Sequence, residues 1–432
     1  MKMDNDNLPS EGFKPAGLVP VPENEKKPFF SASIEEKIAA FLMLIAAYIY
    51  TLMFDVENHR LWLGVFFGLF VLITELLNKK TRPTAESFII LACLTASVVS
   101  LIADRRAVWE GEQFLFAHAF AVWWVLSRSG ALLSGESGHL IPIDAVRGAF
   151  VIPFKNFILQ FRSIVSAFIG EKREKKGGAG AALAAAAVAV SSVLLIIAVS
   201  LLSGADARFG EAVQKLADAL KIDAEVVLRL FMSIHIGAWL FGLIAGSARL
   251  DKPGLRARGE RIENALSRLG RVPAAVWLVS SAAFAVIYAS FFALQGSYLF
   301  GAFARKLPEG FVVAEYARQG FFELCRVMAV NFALVWCVTR TARRSPQNER
   351  LITAAALVIL TESLIFAIIA ASKLWLYIDC FGFTPRRLQS AWLIAVLASG
   401  CVAFALNIAL GKRTMRPWLM FSALTLSTTA LL

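Results

Sequence analysis

About eleven apolar runs long enough to cross a bilayer as a helix recur along this chain, separated by charged stretches. A helix rises about 1.5 Å per residue, so roughly 20 apolar residues span the hydrocarbon layer. The runs fall at roughly residues 38–54, 61–77, 85–102, 114–133, 181–202, 226–248, 273–297, 319–339, 351–372, 388–410 and 417–432. Hydrocarbon offers the backbone no hydrogen-bond partner, so each run must satisfy its own amides as a helix. The runs are too long and too uniformly apolar for barrel strands. The expected fold is all-α, a polytopic transmembrane bundle of about eleven spans. Composition agrees: 58% of the 432 residues are hydrophobic and 18% charged, which a water-soluble core would not absorb.

Charge sets the orientation. With the N-terminus inside, the inner segments (1–37, 78–84, 134–180, 249–272, 340–350, 411–417) carry 29 Lys and Arg residues and the outer ones (55–60, 103–113, 203–225, 298–318, 373–387) carry 12. Basic residues accumulate on the cytoplasmic side, so the expectation is a bacterial inner-membrane protein with its N-terminus cytoplasmic and its C-terminus outside. The net charge of +12 collects at the ends of apolar runs, where it meets anionic lipid at the inner face. That placement argues against nucleic acid as a partner. The basic inner loops also offer a protein partner a docking surface.

The organisation follows. Residues 1–33 form a polar tail punctuated by Pro9, Pro15, Pro20, Pro22 and Pro28, expected to be disordered and cytoplasmic. Residues 34–133 make a four-helix membrane region, 134–180 an inner connection, and 181–432 a C-terminal membrane domain. Within the inner connection, Phe154, Phe157, Ile158, Phe161, Ile164, Val165 and Phe168 recur at helical spacing after Pro153. This predicts one amphipathic helix lying in the cytoplasmic interface, followed by Lys172-Arg173-Glu174-Lys175-Lys176 and a glycine-rich linker. In the outer connection 208–224, Val213, Leu216 and Leu220 predict a short interfacial helix.

Catalytic and metal signatures are weak. His59, His118, His139 and His235 lie on separate segments, with only Asp55 and Glu136 near any of them, which does not support a zinc site. His118 and His235, inside runs, read as helix-to-helix hydrogen bonders. Gly135-Glu136-Ser137-Gly138 matches a serine-protease string, yet falls in a polar loop and fails the wider elbow at His139. Five cysteines without Cys-x-x-Cys spacing read as packing residues, and no cofactor pattern is present. The reading is therefore non-enzymatic.

Ionisable residues inside apolar runs are more informative, because a charge at membrane depth is costly and marks a protein interior or water-filled cavity. Glu362 sits near the middle of its run between Thr361 and Ser363. The preceding run carries Glu323 and Arg326 on one face and Asn331 deeper, and Arg326 or Asn331 is expected to reach Glu362. The alternatives are a structural clamp and a proton-coupling group. Glu75, Glu86, Arg128 and Arg229 lie nearer run ends and are expected to snorkel.

Two further stretches carry a resemblance. Glu315-Tyr316-Ala317-Arg318-Gln319-Gly320-Phe321-Phe322-Glu323 and, some fifty residues on, Tyr377-Ile378-Asp379-Cys380-Phe381-Gly382-Phe383-Thr384-Pro385-Arg386-Arg387 resemble a bacterial family of multi-pass membrane proteins, a domain of unknown function, over roughly residues 220–410. The resemblance implies the pattern Glu-Tyr-x-Arg-x-Gly-Phe-Phe-Glu, then Tyr and Gly-x-Thr-x-x-Arg, matched by Gly382, Thr384 and Arg387, and brings no known reaction or substrate. By the expected topology both stretches reach the outer face. Glu315, Arg318, Tyr377, Asp379 and Arg387 would there form a mixed-charge cluster beside Gly320 and Gly382. An ion-pair latch, a ligand site and a lipid-linked enzyme site all remain open for it. The function expected is small-molecule transport or sensing through this cluster, with a signalling or assembly subunit as the alternative.

Overall fold

The structure, a computed structural model, describes residues 32–53, 59–103, 110–168, 179–219, 223–299 and 313–431. In chain order its helices are α1 (Ile34–Leu52), α2 (His59–Asn78), α3 (Ala85–Ala103), α4 (Glu110–Ser129), α5 (Ile141–Val146), α6 (Ile152–Lys155) and α7 (Leu159–Phe168), with a π-turn (Arg147–Val151) joining α5 to α6. They continue as α8 (Ala179–Ala205), α9 (Ala207–Ala219), α10 (Ala224–Ala248), α11 (Lys252–Ser267), α12 (Ala274–Leu299), α13 (Val313–Thr341), α14 (Glu349–Phe381), α15 (Pro385–Leu410) and α16 (Met415–Leu431). Among the described residues the sole β-pairing is an isolated bridge, Val272 to Ala342. Nearly all of the expected tail 1–33 and the basic run from Lys172 lie outside the described residues.

Helix ends follow local chemistry. Ser33 and Glu36 close a capping box on α1, with Glu36 N–H donating to Ser33 Oγ at 3.2 Å and Ser33 N–H to Glu36 Oε2 at 2.9 Å. Thr84 and Ser87 do the same before α3, at 3.1 and 3.0 Å. Asp223 and Asp251 cap α10 and α11. Gly382 (φ 77°) and Gly411 (φ 63°) stop α14 and α15 in backbone conformations that a side chain would strain.

Each apolar window is occupied by one helix, and seven of these among the described residues (in α2, α3, α10, α12, α13, α14 and α15) are long and apolar enough to cross a membrane. Two packed units result. The first gathers α1 to α4 with α10 and α16 around Phe66, Phe70, Trp124 and Phe241. The second gathers α12 to α15 around Met328, Val335, Ile359, Ile369 and Cys401. Helix α16 sews them together: Ser427 Oγ donates to Cys93 O of α3 at 3.4 Å, and Trp418 Nε1 to Val396 O of α15 at 3.1 Å. Leu194, Leu195, Val279, Val286 and Ile287 point outward, an apolar perimeter that lipid would cover.

The inner connection departs from the single amphipathic helix expected there. Its helix is broken at Asn156, whose side chain donates to Ile152 O at 2.8 Å, and resumes at Leu159. The face turned inward is the polar one. Gln160, Ser163 and Ser166 are buried against α1 and α10, while Phe154 and Phe168 are exposed. Gln160 Nε2 reaches Ala40 O at 3.0 Å, and Gly237, Gly242 and Gly246 form the side of α10 that lets these arms approach. In lipid the sorting rule that holds in water inverts, since apolar side chains lose nothing outside and polar ones need partners within. At the outer connection, α9 supplies the expected short helix.

Candidate functional site

At mid-length, the second unit carries a polar network inside an apolar shell. Asn331 of α13 accepts from the Tyr288 hydroxyl of α12 at 2.7 Å and donates through Nδ2 to Ser363 Oγ of α14 at 2.9 Å. Three helices are thus tied by one amide. Glu362 adjoins Ser363 in sequence and is 8% exposed, and its Oε2 has no hydrogen-bond partner. It lies 13 residues from Glu349, about 20 Å along a helix about 50 Å long, which puts it at membrane depth. The expected contact does not form: Arg326 and Glu323 are exposed, and Asn331 is spent on Tyr288 and Ser363. Ridge spacing on α13 explains this, because Arg326 and Asn331 are five apart and face different neighbours.

At its C-terminal end, α14 continues to Phe381, so most of the connection expected at 373–387 is helix. This places Lys373 in a buried position, 8% exposed, with its amine over the space that the missing side chain of Gly320 leaves. Glu323 is the carboxylate whose charge acts on it. Lys373 lies just past the apolar window 351–372 and is not singled out by it; Leu374-Trp375-Leu376 directly after Ser372-Lys373 is the signal that the helix goes on.

The α14–α15 turn gathers four of the family-like residues. Arg387 donates to Phe381 O at 2.7 Å and to Gly382 O, and its guanidinium lies 4.2 Å from the Tyr377 ring centre. Thr384 O accepts from the Arg387 and Leu388 amides at 2.9 and 3.1 Å as α15 begins. Here Arg387 works as a clamp on carbonyls and an aromatic face. Asp379 is exposed on the same turn of α14. Glu315, Tyr316 and Arg318 fall on the first turns of α13, and their side chains lie outside the described residues.

Of the four ionisable residues expected to snorkel, Glu75, Glu86 and Arg128 instead pair with neighbours at the end of the bundle bearing the basic connections, while Arg229 pairs with Glu225 in the first turns of α10. Arg128 holds Glu75 by two bonds of 2.7 Å and donates to Thr81 O and Asn78 O. Glu86 accepts from Ser137 N and Oγ and from Arg416, which also reaches Glu136 at 2.6 Å. Ser137 is buried between Glu86 and Trp123 Nε1, a structural use of the protease-like string. Asp144 accepts from Leu133 N–H and Arg147; burial pushes its carboxyl above the ordinary range against the pull of those donors. His118 bridges α4 to α1 through Tyr50 at 3.1 Å, and His139 meets Glu263 at 3.1 Å. Among the described residues no three His, Cys, Asp or Glu side chains converge as a metal site.

A family described as a domain of unknown function, DUF4153, matches residues 87–432, which is most of the chain and includes the candidate residues of α12 to α15 but not Glu75 or Glu86. The chain belongs to this family. No curated protein and no solved structure matches it. Membership of the family reaches back through α3 and α4, ahead of the stretch that carried the resemblance, and it takes in the α3–α16 contact that joins the two packed units.

Proposed function

We propose that this protein is a multi-pass component of the bacterial inner membrane, with about eleven spans by the hydropathy reading and its basic connections in the cytoplasm. Its α12–α15 unit carries out small-molecule transport or sensing coupled to a proton. One observation carries the reading: Glu362 is a buried carboxylate at membrane depth with an oxygen left unbonded. A purely structural clamp would use both oxygens, since an unmet acceptor in a dry interior is costly. Tyr288, Asn331 and Ser363 form the fixed frame beside it. The outer end holds Lys373, Gly320 and Glu323 as an entry for a polar solute. The uneven basic charge and the apolar perimeter support the placement in the membrane. A signalling or assembly subunit is the second reading, favoured by the exposed basic surface of α11.

The test is proton movement. Proteoliposomes holding pyranine, with a valinomycin-imposed negative interior, are expected to acidify faster with the wild-type chain than with Glu362→Gln at equal reconstitution and equal thermal stability. Equal rates would overturn the coupling role. Loss of folded protein in the variant would assign Glu362 to the clamp.

A further inference from the structure

At the end of the bundle opposite the Lys373 cluster, a cleft of about 190 Å³ opens between the α2–α3 turn, the end of α4 and the start of α11. That volume is several times the share of one water molecule, about 30 Å³. Its walls carry Arg82, Arg128, Lys252 and Arg256 with the hydroxyls of Thr81 and Ser127. Glu75 neutralises Arg128, which makes four hydrogen bonds with its five N–H groups and keeps one in reserve. Arg82, Lys252 and Arg256 have no ion pair among the described residues. Of the nearby carboxylates, Asp251 is committed to the Gly254 amide at 3.1 Å, and Glu260 lies in the adjoining recess with Lys252 and Arg256.

A second feature points into the same space. Ser127 is 5% exposed and lines the cleft, and its hydroxyl has no hydrogen-bond partner among the described residues. Opening on the cleft, that hydroxyl is placed to donate to an oxygen entering it. The backbone is shaped around the same site: Gly130 (φ 68°) and Gly135 (φ 77°) turn the loop beneath the Lys252 and Arg256 side chains, where an added Cβ would meet Lys252 Nζ at 3.5 Å and Arg256 Nη2 at 3.8 Å. Three cations that make no ion pair among the described residues, a spare guanidinium hydrogen and a cleft-facing hydroxyl suit a tetrahedral oxyanion with several acceptor oxygens.

We propose that this cleft binds a phosphate group, presented either by an anionic lipid headgroup or by a soluble phosphate compound. The basic connections put it on the cytoplasmic side, where both sources exist. Binding there would lock α11 onto the α2–α3 turn and the 130–135 loop.

The full chain in dodecyl maltoside is titrated with inorganic pyrophosphate in one arm and with dioctanoyl phosphatidylglycerol in the other. Controls are potassium chloride at matched ionic strength and dioctanoyl phosphatidylcholine, and the readout is the midpoint of thermal unfolding. A rise above both controls is expected in at least one arm. A rise with pyrophosphate alone assigns a soluble ligand, one with the lipid alone assigns a headgroup, and one with both assigns the phosphate itself. Lys252→Gln with Arg256→Gln, both exposed positions, is expected to leave the unliganded midpoint unchanged and to weaken binding about tenfold or more. Arg82→Gln, on a separate element, is expected to weaken it in the same direction. No rise in either arm, or a full rise retained by all these variants, overturns the proposal.

Discussion

At Arg128 four hydrogen bonds converge on one buried guanidinium, two to Glu75 and two to carbonyls at the end of α2 and in the turn after it. Removing it strands a carboxylate and two acceptors. Arg128→Gln is therefore expected to lower stability by about 2 to 4 kcal/mol, read from thermal unfolding in detergent. Arg128→Lys should recover little, because an ammonium does not fit two carboxylate oxygens and two carbonyls at once; full recovery would show that charge alone matters. The residue types at such points are legible in a sequence, but their partners are not. Arg128 and Glu75 stand 53 positions apart, and nothing in the chain order says that one meets the other. Glu362 shows the same limit from the other side. Its depth is readable from its run, whereas Asn331 and Arg326, the partners that spacing offers, turn elsewhere.

Among elements, the close approach of α6 to α10 decides how the inner connection packs. A Cβ at Gly242 would lie 2.7 Å from Pro153 O and 3.3 Å from Asn156 C, both backbone atoms that do not move cheaply. Gly242→Ala is expected to cost about 1 to 3 kcal/mol. It should also raise proteolysis within 152–168, while Gly68→Ala on α2, where an added Cβ meets nothing within 4 Å, leaves both unchanged. A neutral Gly242→Ala would contradict the packed arrangement. Helix positions were legible here because hydrophobic runs of membrane length admit one secondary structure. The direction of the amphipathic stretch was not. Its phenylalanines mark a lipid-facing side as readily as a buried one, and the glycines that receive its polar side lie some 80 residues later in α10. The length of α14 is hidden for a related reason: a polar Ser372-Lys373 pair ends an apolar window without ending a helix.

For the whole molecule, α16 returns from the second packed unit to α3, and Arg416 at its start bonds Glu86 and Glu136. The two units thus share a seam, and the alternation of basic and less basic connections runs across it. The proposed side assignment rests on that alternation, which would set the proposed phosphate cleft and the Lys373 cluster on opposite sides of a membrane. The most direct measurement is labelling of single cysteines in intact cells by a membrane-impermeant maleimide, in a chain whose five native cysteines are replaced by serine. Thr384→Cys, at the α14–α15 turn, is predicted to react from outside, and Lys252→Cys, at the start of α11, to react only after the membrane is opened. Reaction of Lys252→Cys in intact cells, with Thr384→Cys silent or reacting alongside it, would contradict the account.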